Sequence, residues 1–301
     1  MEGKIKNILA ATDFSETGNN AVMVAIEICK QHNAVLHLFH VVENRYIFAV
    51  AEPGLDASVI NEIDQEARSQ LYNMYERILG DHQVMVRIHM PIGTPFNEIC
   101  KAATEIPIDL IVMGSRGASG LKEFLIGTTA VSVIKNTNIP VLTVPANFDK
   151  TNFTRILFPI RFVKGIKEKY RITQFFIKRD SIINIAVLCK EGKEEQLLDC
   201  RDVLSDILLS LKNCRVTHTI EMCPCSNIAS KVLELSQTYS SDLVVINATL
   251  DHSWADFLHG SYTQQVVNHS AIAVLSFSHG DDKQRPFADQ QHESEILKGN
   301  Y

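Results

Sequence analysis

Residues 109–145 read DLIVMGSRGASGLKEFLIGTTAVSVIKNTNIPVLTVP. Four apolar residues, Leu110, Ile111, Val112 and Met113, run into Gly114; Gly117 follows, then Gly127 with Thr128 and Thr129. An apolar segment with helical spacing extends from Ala130 to Lys135, and a second apolar run, Pro140 to Val144, closes the stretch. The pattern is strand, glycine-rich loop, helix start, strand. Main-chain N–H groups at such a loop and at a helix N-terminus suit an anion, phosphate above all. Glycine lets the backbone approach closely and adopt positive φ. The spacing Gly114-x2-Gly117-x9-Gly127-Thr128 is a weak signal as bare glycines, and a tight strand-to-helix turn with no ligand satisfies it equally. Its place at the end of an apolar strand and the hydroxyl pair after the third glycine favour phosphate. Neither GxxxxGK[ST] nor a GxGxxG opening the first helix occurs.

Upstream of this stretch the chain alternates strand and helix signals. Ile8 to Ala11 is a short apolar run ending in Thr12-Asp13-Phe14-Ser15, followed by helical spacing through Ala21, Val22, Ala25, Ile26 and Cys29. Ala34 to Val42 reads as one strand, ending in His40-Val41-Val42, and a loop with Pro53-Gly54 follows. Ser58 to Leu79 carries the stripe Ile60, Ile63, Ala67, Leu71, Met74, Tyr75 and Ile78 of an amphipathic helix. Val84 to Met90 is a strand, and Gly93-Thr94-Pro95 opens a helix through Ala103. Five strands alternating with helices predict a parallel sheet covered on both faces. Ligands of such sheets bind beyond the strand C-terminal ends, where strand order reverses. The loops Thr12-Asp13-Phe14, Val41-Val42 and Gly114-Ser115-Arg116-Gly117 converge there. Asp13 is placed either to meet a ribose hydroxyl or a cation, or to cap the first helix. His37 and His40 fall on opposite faces of their strand; His40 lies near the expected pocket as a core or rim histidine.

After a polar joint, Asn147 to Asn152, the alternation restarts: KNILAATDFS matches TRILFPIRFV. Strands are predicted at Thr154–Ile160, Ile182–Cys189, Cys214–Met222 and Asp242–Ile246, with a fifth ending near Phe277, and helices at Leu197–Leu211 and Ile228–Leu235. The stretch Asp109 to Leu142 runs without a gap onto Asp242 to Leu275, an internal repeat. In that register Gly114 falls on Asn247, Gly117 on Leu250, and Gly127-Thr128 on Gly260-Ser261, while Asp13 falls on Arg161. A Cβ at both loop positions and a reversed charge leave the second copy the periodicity of the fold without the chemistry of the site. Trp254 in this region reads as packing or partner contact.

At 301 residues the chain has room for two domains, and 46% hydrophobic with 21% charged residues is a globular composition. A net charge of −6 argues against a DNA-binding or anionic-membrane surface. No apolar run reaches bilayer-spanning length and the first residues carry no secretion pattern, so a cytoplasmic location is expected. The seven cysteines include one close pair, Cys223-Pro224-Cys225, without CxxC spacing or a second pair; reduced thiols are expected. The tail 279–301 is polar.

Four features together make the chain resemble the universal stress protein family, as a tandem member: Ala11-Thr12-Asp13-Phe14-Ser15, His40-Val41-Val42, the G-x2-G-x9-G-[ST] pattern, and Ile139-Pro140-Val141. The resemblance implies two tandem doubly wound α/β domains, 1–147 and 153–278, each with a five-stranded parallel sheet of order 3-2-1-4-5. It implies an ATP-binding first domain of the family's nucleotide-binding branch and a second domain of the non-binding branch. Carried over, Ala11 and Val41 border adenine and ribose, and Asp13 sits near the ribose and a Mg²⁺ or Mn²⁺ ion. Gly114, Arg116 and Gly117 wrap the phosphates, Gly127, Thr128 and Thr129 donate to them, and Met113 is a further nucleotide-binding residue. Ala130 departs from relatives with a hydroxyl there. The fifth strands, Val141–Val144 and Ala273–Phe277, are implied to pair inside the chain as an intrachain pseudo-dimer, with a homodimer as further self-association. The function so implied is that of an ATP-binding regulatory protein of the stress response acting on an unidentified protein partner. The alternatives are a slow ATPase and a nucleotide-free scaffold. No Ser-His-Asp or paired-carboxylate arrangement argues for further catalysis.

Overall fold

A computed structural model describes residues 4–43, 57–115, 127–148, 150–193, 195, 198, 200–248 and 261–278. The first half builds β1 (Asn7–Ala11), α1 (Glu16–His32), β2 (Val35–Phe39), β3 (Val42–Glu43), α2 (Ala57–His82), β4 (Val86–His89), β5 (Ile92–Gly93), α3 (Pro95–Glu105), β6 (Leu110–Gly114), α4 (Thr128–Asn136) and β7 (Val141–Val144). The second half builds β8 (Arg155–Ile160), α5 (Ile166–Thr173), β9 (Ile182–Lys190), α6 (Arg201–Asn213), β10 (Thr217–Cys225), α7 (Ile228–Thr238), β11 (Leu243–Asn247), α8 (Tyr262–His269) and β12 (Ala273–Phe277).

Ten of these strands form one sheet in the order β10-β9-β8-β11-β12-β7-β6-β1-β2-β4. Each half is therefore the expected 3-2-1-4-5 run, parallel within itself. The two runs meet at β7 and β12, which pair antiparallel with Leu142 opposite Leu275. The sequence repeat carries Leu142 onto Leu275, so each central strand faces its own counterpart. Thr143 Oγ1 also donates to the Val274 carbonyl across this seam, at 3.2 Å.

Continuous burial follows from helices on both faces. In β1, Ile8 and Ala10 point into one apolar cluster with Val22 and Ile26 of α1, while Leu9 points into the other with Val133 and Ile134 of α4. Both clusters contain residues of both halves.

Three expectations need correction. The strand drawn from Ala34 to Val42 is broken: β2 stops at Phe39, and Val42–Glu43 pairs with Ile92–Gly93 in a separate two-stranded sheet. The ladder from β1 reaches only to the Thr12 N–H on the Phe39 carbonyl, so residues beyond follow the β4–β5 side instead. The helix drawn at Leu197–Leu211 is assigned here as α6, Arg201–Asn213. The strand drawn at Cys214–Met222 starts later and runs on to Cys225, because its pairing with β9 carries Cys225 onto Lys190. Helix α5 was not predicted. Its buried positions Ile166, Tyr170 and Thr173 make too short and too polar a stripe, and Lys169 shares the buried side.

Candidate functional site

Strand order reverses between β1 and β6, where Ala11 lies opposite Met113. Beyond Ala11 the chain makes a sharp turn. Phe14 adopts φ 62°, left-handed and uncommon for an aromatic residue. Side chains hold the turn at every step. The Phe14 N–H donates to Thr12 Oγ1 at 3.0 Å, and Asn19 Nδ2 donates to the Phe14 carbonyl at 3.2 Å. Asp13 Oδ1 accepts from the Ser15 N–H at 3.1 Å and from Ser15 Oγ at 2.5 Å. Ser15, not Asp13, caps α1: its Oγ accepts from the Gly18 N–H at 3.1 Å. Such a cap is worth about 1 kcal/mol. Gly18 has no room for a side chain, since a Cβ there would stand 2.7 Å from Asp13 Oδ1 and 3.0 Å from Thr12 Oγ1. Ser15, Gly18 and Asn19 were missed as site-forming residues, although serine just before an acidic first turn is a legible N-cap.

The β2 side contributes His40 and the buried Val41. His40 Nδ1 lies 2.9 Å from the Thr12 carbonyl. A carbonyl only accepts, so Nδ1 carries the proton. The ring packs tilted against Phe14, with centroids 4.3 Å apart and planes 31° from parallel. Burial holds the His40 pKa below the ordinary range, against the Thr12 bond and the nearby Asp13 and Glu43.

From β6, Met113 is buried and Gly114 pairs with Val144. The Ser115 N–H donates to the Val144 carbonyl and the Gly127 N–H to the Ser115 carbonyl, both at 2.9 Å. Arg116 and Gly117 lie between Ser115 and Gly127 in sequence, outside the described residues. Gly127 is the N-cap of α4 and offers no side-chain cap. Its own N–H is taken by the Ser115 carbonyl, so it is not available as the donor expected of it, and the first-turn N–H groups of Thr128 and Thr129 have no capping side chain among the described residues. Ala130 is buried in the core beneath them, so its side chain serves packing.

The second half fills the matching place with its own side chains. The Arg161 guanidinium, at the position of Asp13, lies 3.7 Å over the ring of Tyr262, which stands at the position of Thr129. Asn247, at the position of Gly114, is buried and donates to the Lys164 carbonyl at 3.3 Å. The helix start shifts one residue: Ser261 is the N-cap of α8 and accepts from the Gln264 N–H at 3.3 Å. Leu250, Trp254 and Gly260 lie outside the described residues, as does the tail 279–301.

The sequence profile of the Universal stress protein family matches residues 4–145. Universal stress protein MJ0577 of Methanocaldococcus jannaschii is 34% identical over 160 residues, spanning 97% of that protein and 48% of this chain. The chain belongs to the universal stress protein family. Universal stress protein YxiE of Bacillus subtilis is 31% identical over 97% of its length and 46% of this chain. In three dimensions, a universal stress protein from Archaeoglobus fulgidus DSM 4304 superposes with a TM-score of 0.73 over 93% of this chain and 98% of that one. At 20% identity that likeness speaks to the fold.

This universal stress protein has no group of three or more His, Cys, Asp or Glu side chains able to hold a metal ion among its described residues. No described helix is long and apolar enough to cross a membrane. None of the seven cysteines is in a disulfide, and burial pushes Cys29 and Cys223 up to about 12, out of the reactive range. His37 is on the face opposite His40, bonded to His89 and Asn7.

Proposed function

We propose that this chain is a nucleotide-responsive stress protein that holds one adenine nucleotide, ATP, in its first half. The second half, residues 153–278, is then a structural counterpart of the domain at 1–147. Ala11 and Val41 border the base and ribose, Asp13 meets the ribose, Gly114, Arg116 and Gly117 wrap the phosphates, and Met113 is a further nucleotide-binding residue. The N–H groups of Thr128 and Thr129 donate to phosphate oxygens at the positive end of α4. A Mg²⁺ or Mn²⁺ ion would arrive with the nucleotide, taking phosphate oxygens and Asp13 as ligands.

One observation carries this reading. Among the described residues, the helix that follows the glycine-rich loop has no capping side chain in the first half, whereas in the second half Ser261 caps its own helix and Arg161 lies on Tyr262. The chain therefore differs between its halves where a phosphate would sit. The resemblance to the family's ATP-binding branch names the nucleotide. Bound nucleotide regulates a partner only if it prefers one arrangement of the loops.

Isothermal titration with ATP tests the proposal. The wild-type chain is expected to bind, and Gly117→Val to lose binding while its circular dichroism spectrum is unchanged. Equal affinity in both proteins overturns the reading.

A further inference from the structure

Six residues build the turn after β1 or support it: Thr12, Asp13, Ser15, Gly18, Asn19 and His40. The β1–β2 and β8–β9 registers place their counterparts at Ile160, Arg161, Val163, Ile166, Lys167 and Val187. All six differ. Phe14 alone is kept, as Phe162, and its setting changes completely. Phe162 is 57% exposed and is not among the described residues with positive φ. An aromatic residue at this place does not hold the left-handed conformation by itself, in keeping with its intrinsic cost. In the first half, what differs around Phe14 is the side-chain bonding of the turn and the imidazole beneath the ring.

We propose that His40 is a positioning residue of the nucleotide site: its Nδ1–H holds the Thr12 carbonyl and its ring backs Phe14, which keeps the turn in the shape that presents Asp13. The inference rests on the nucleotide reading above and adds a residue that acts through Asp13 instead of touching the ligand. The two contacts grip consecutive parts of the turn, one on each side of Asp13. Thr12 precedes it and Phe14 follows it, at 2.9 Å and 4.3 Å from the imidazole respectively. His40 is itself anchored, since its N–H donates to the His89 carbonyl at 3.0 Å. The grip therefore runs from β4 through β2 to the end of β1. Imidazole is the side chain that offers both a donor at the right distance from its own backbone and a flat ring. Asparagine offers the donor alone and phenylalanine the ring alone.

The test combines a spectrum with a double-mutant cycle on the full chain, using ATP as the probe. Nitrogen-15 spectra of the nucleotide-free protein at neutral pH are expected to show His40 protonated at Nδ1. His40→Leu is expected to weaken ATP binding about tenfold, the scale of one lost hydrogen bond and its ordering effect. In an Asp13→Ala background the same change is expected to alter affinity less than twofold. His40→Asn, which keeps the donor, is expected to restore part of the loss and serves if the leucine variant does not fold. An Nε2–H tautomer, an unchanged affinity in His40→Leu, or a full tenfold loss in both backgrounds overturns the inference while leaving the nucleotide reading intact. Failure of the wild-type chain to bind ATP overturns both.

Discussion

Lys169 stands where the first half has Ala21, and it is only 1% exposed. Its Nζ donates to the Pro159 carbonyl and lies 4.2 Å over the ring of Phe158. Burial, with Arg161 nearby, drives its pKa well below the lysine range. The unfolded chain then binds the proton more tightly, so this residue makes stability rise with pH up to the unfolded value of about 10.4. Lys169→Met keeps the volume and removes the titration. It is expected to stabilise the protein by about 1–3 kcal/mol at neutral pH and to flatten that alkaline rise, checked by denaturant melts across pH. The histidine pair beneath α3 gives the opposite end of the pH scale. Asn7 Nδ2 donates to the Pro107 carbonyl, which leaves Asn7 Oδ1 to accept from His37 Nε2 at 3.2 Å. His37 Nδ1 must then accept from His89 Nε2 at 2.9 Å. Burial first, then His89 and Arg87, push His37 down to about 4. Stability from this group is complete above about 6.5, the ordinary histidine value, and is lost as pH falls toward the folded value. The second half places Asn184 at the same point, bonded to Thr219 Oγ1 at 2.8 Å. His37→Asn is thus expected to make stability less sensitive to pH between 7 and 4.5, measured by urea melts at both. At this scale the sequence marks Asp13 and His40 as neighbours of the strand ends. It does not mark Gly18 or Tyr262, because their roles come from contacts with residues brought together only by the fold.

Helices α4 and α8 are the same element in two chemical versions. Both follow the fourth strand of their half, and both start over the C-terminal edge of the sheet. Gly127 leaves the first turn of α4 without a capping side chain, while Ser261 satisfies α8 from within. Gly127→Ser is expected to import the second version. Helix stability should change by only a few tenths of a kcal/mol, while ATP affinity falls at least about tenfold, because the serine oxygen competes for the N–H groups a phosphate would use. Calorimetric titration beside a thermal melt separates the two effects. Elements were readable where a long periodic stripe or a glycine marks them. The helix α2 stripe is matched by buried Leu71 and Ile78. Helix α5 was lost to its buried lysine. The end of β2 was lost because an apolar run, Phe39 to Val42 apart from His40, hides a change of pairing partner that only the β4 side supplies.

Across the whole molecule the repeat explains the architecture. Two copies with the same strand order, joined at the fifth strand of each, make one ten-stranded sheet whose centre is the pair Leu142–Leu275. The register was legible because the two copies align without a gap from residue 109 to 142. The divergence of their loops was legible too, through Asn247 and Arg161. The way the second copy closes was not: a cation over an aromatic ring joins residues about a hundred positions apart in the sequence. The proposed binding is asymmetric inside a nearly symmetric scaffold. Native mass spectrometry of the full chain across a range of ATP concentrations decides it. One ATP per chain is expected at saturation, with the adduct shifted to at least about tenfold higher ATP in Gly127→Ser; two ATP per chain of similar affinity, or a single adduct undiminished in that variant, overturns it.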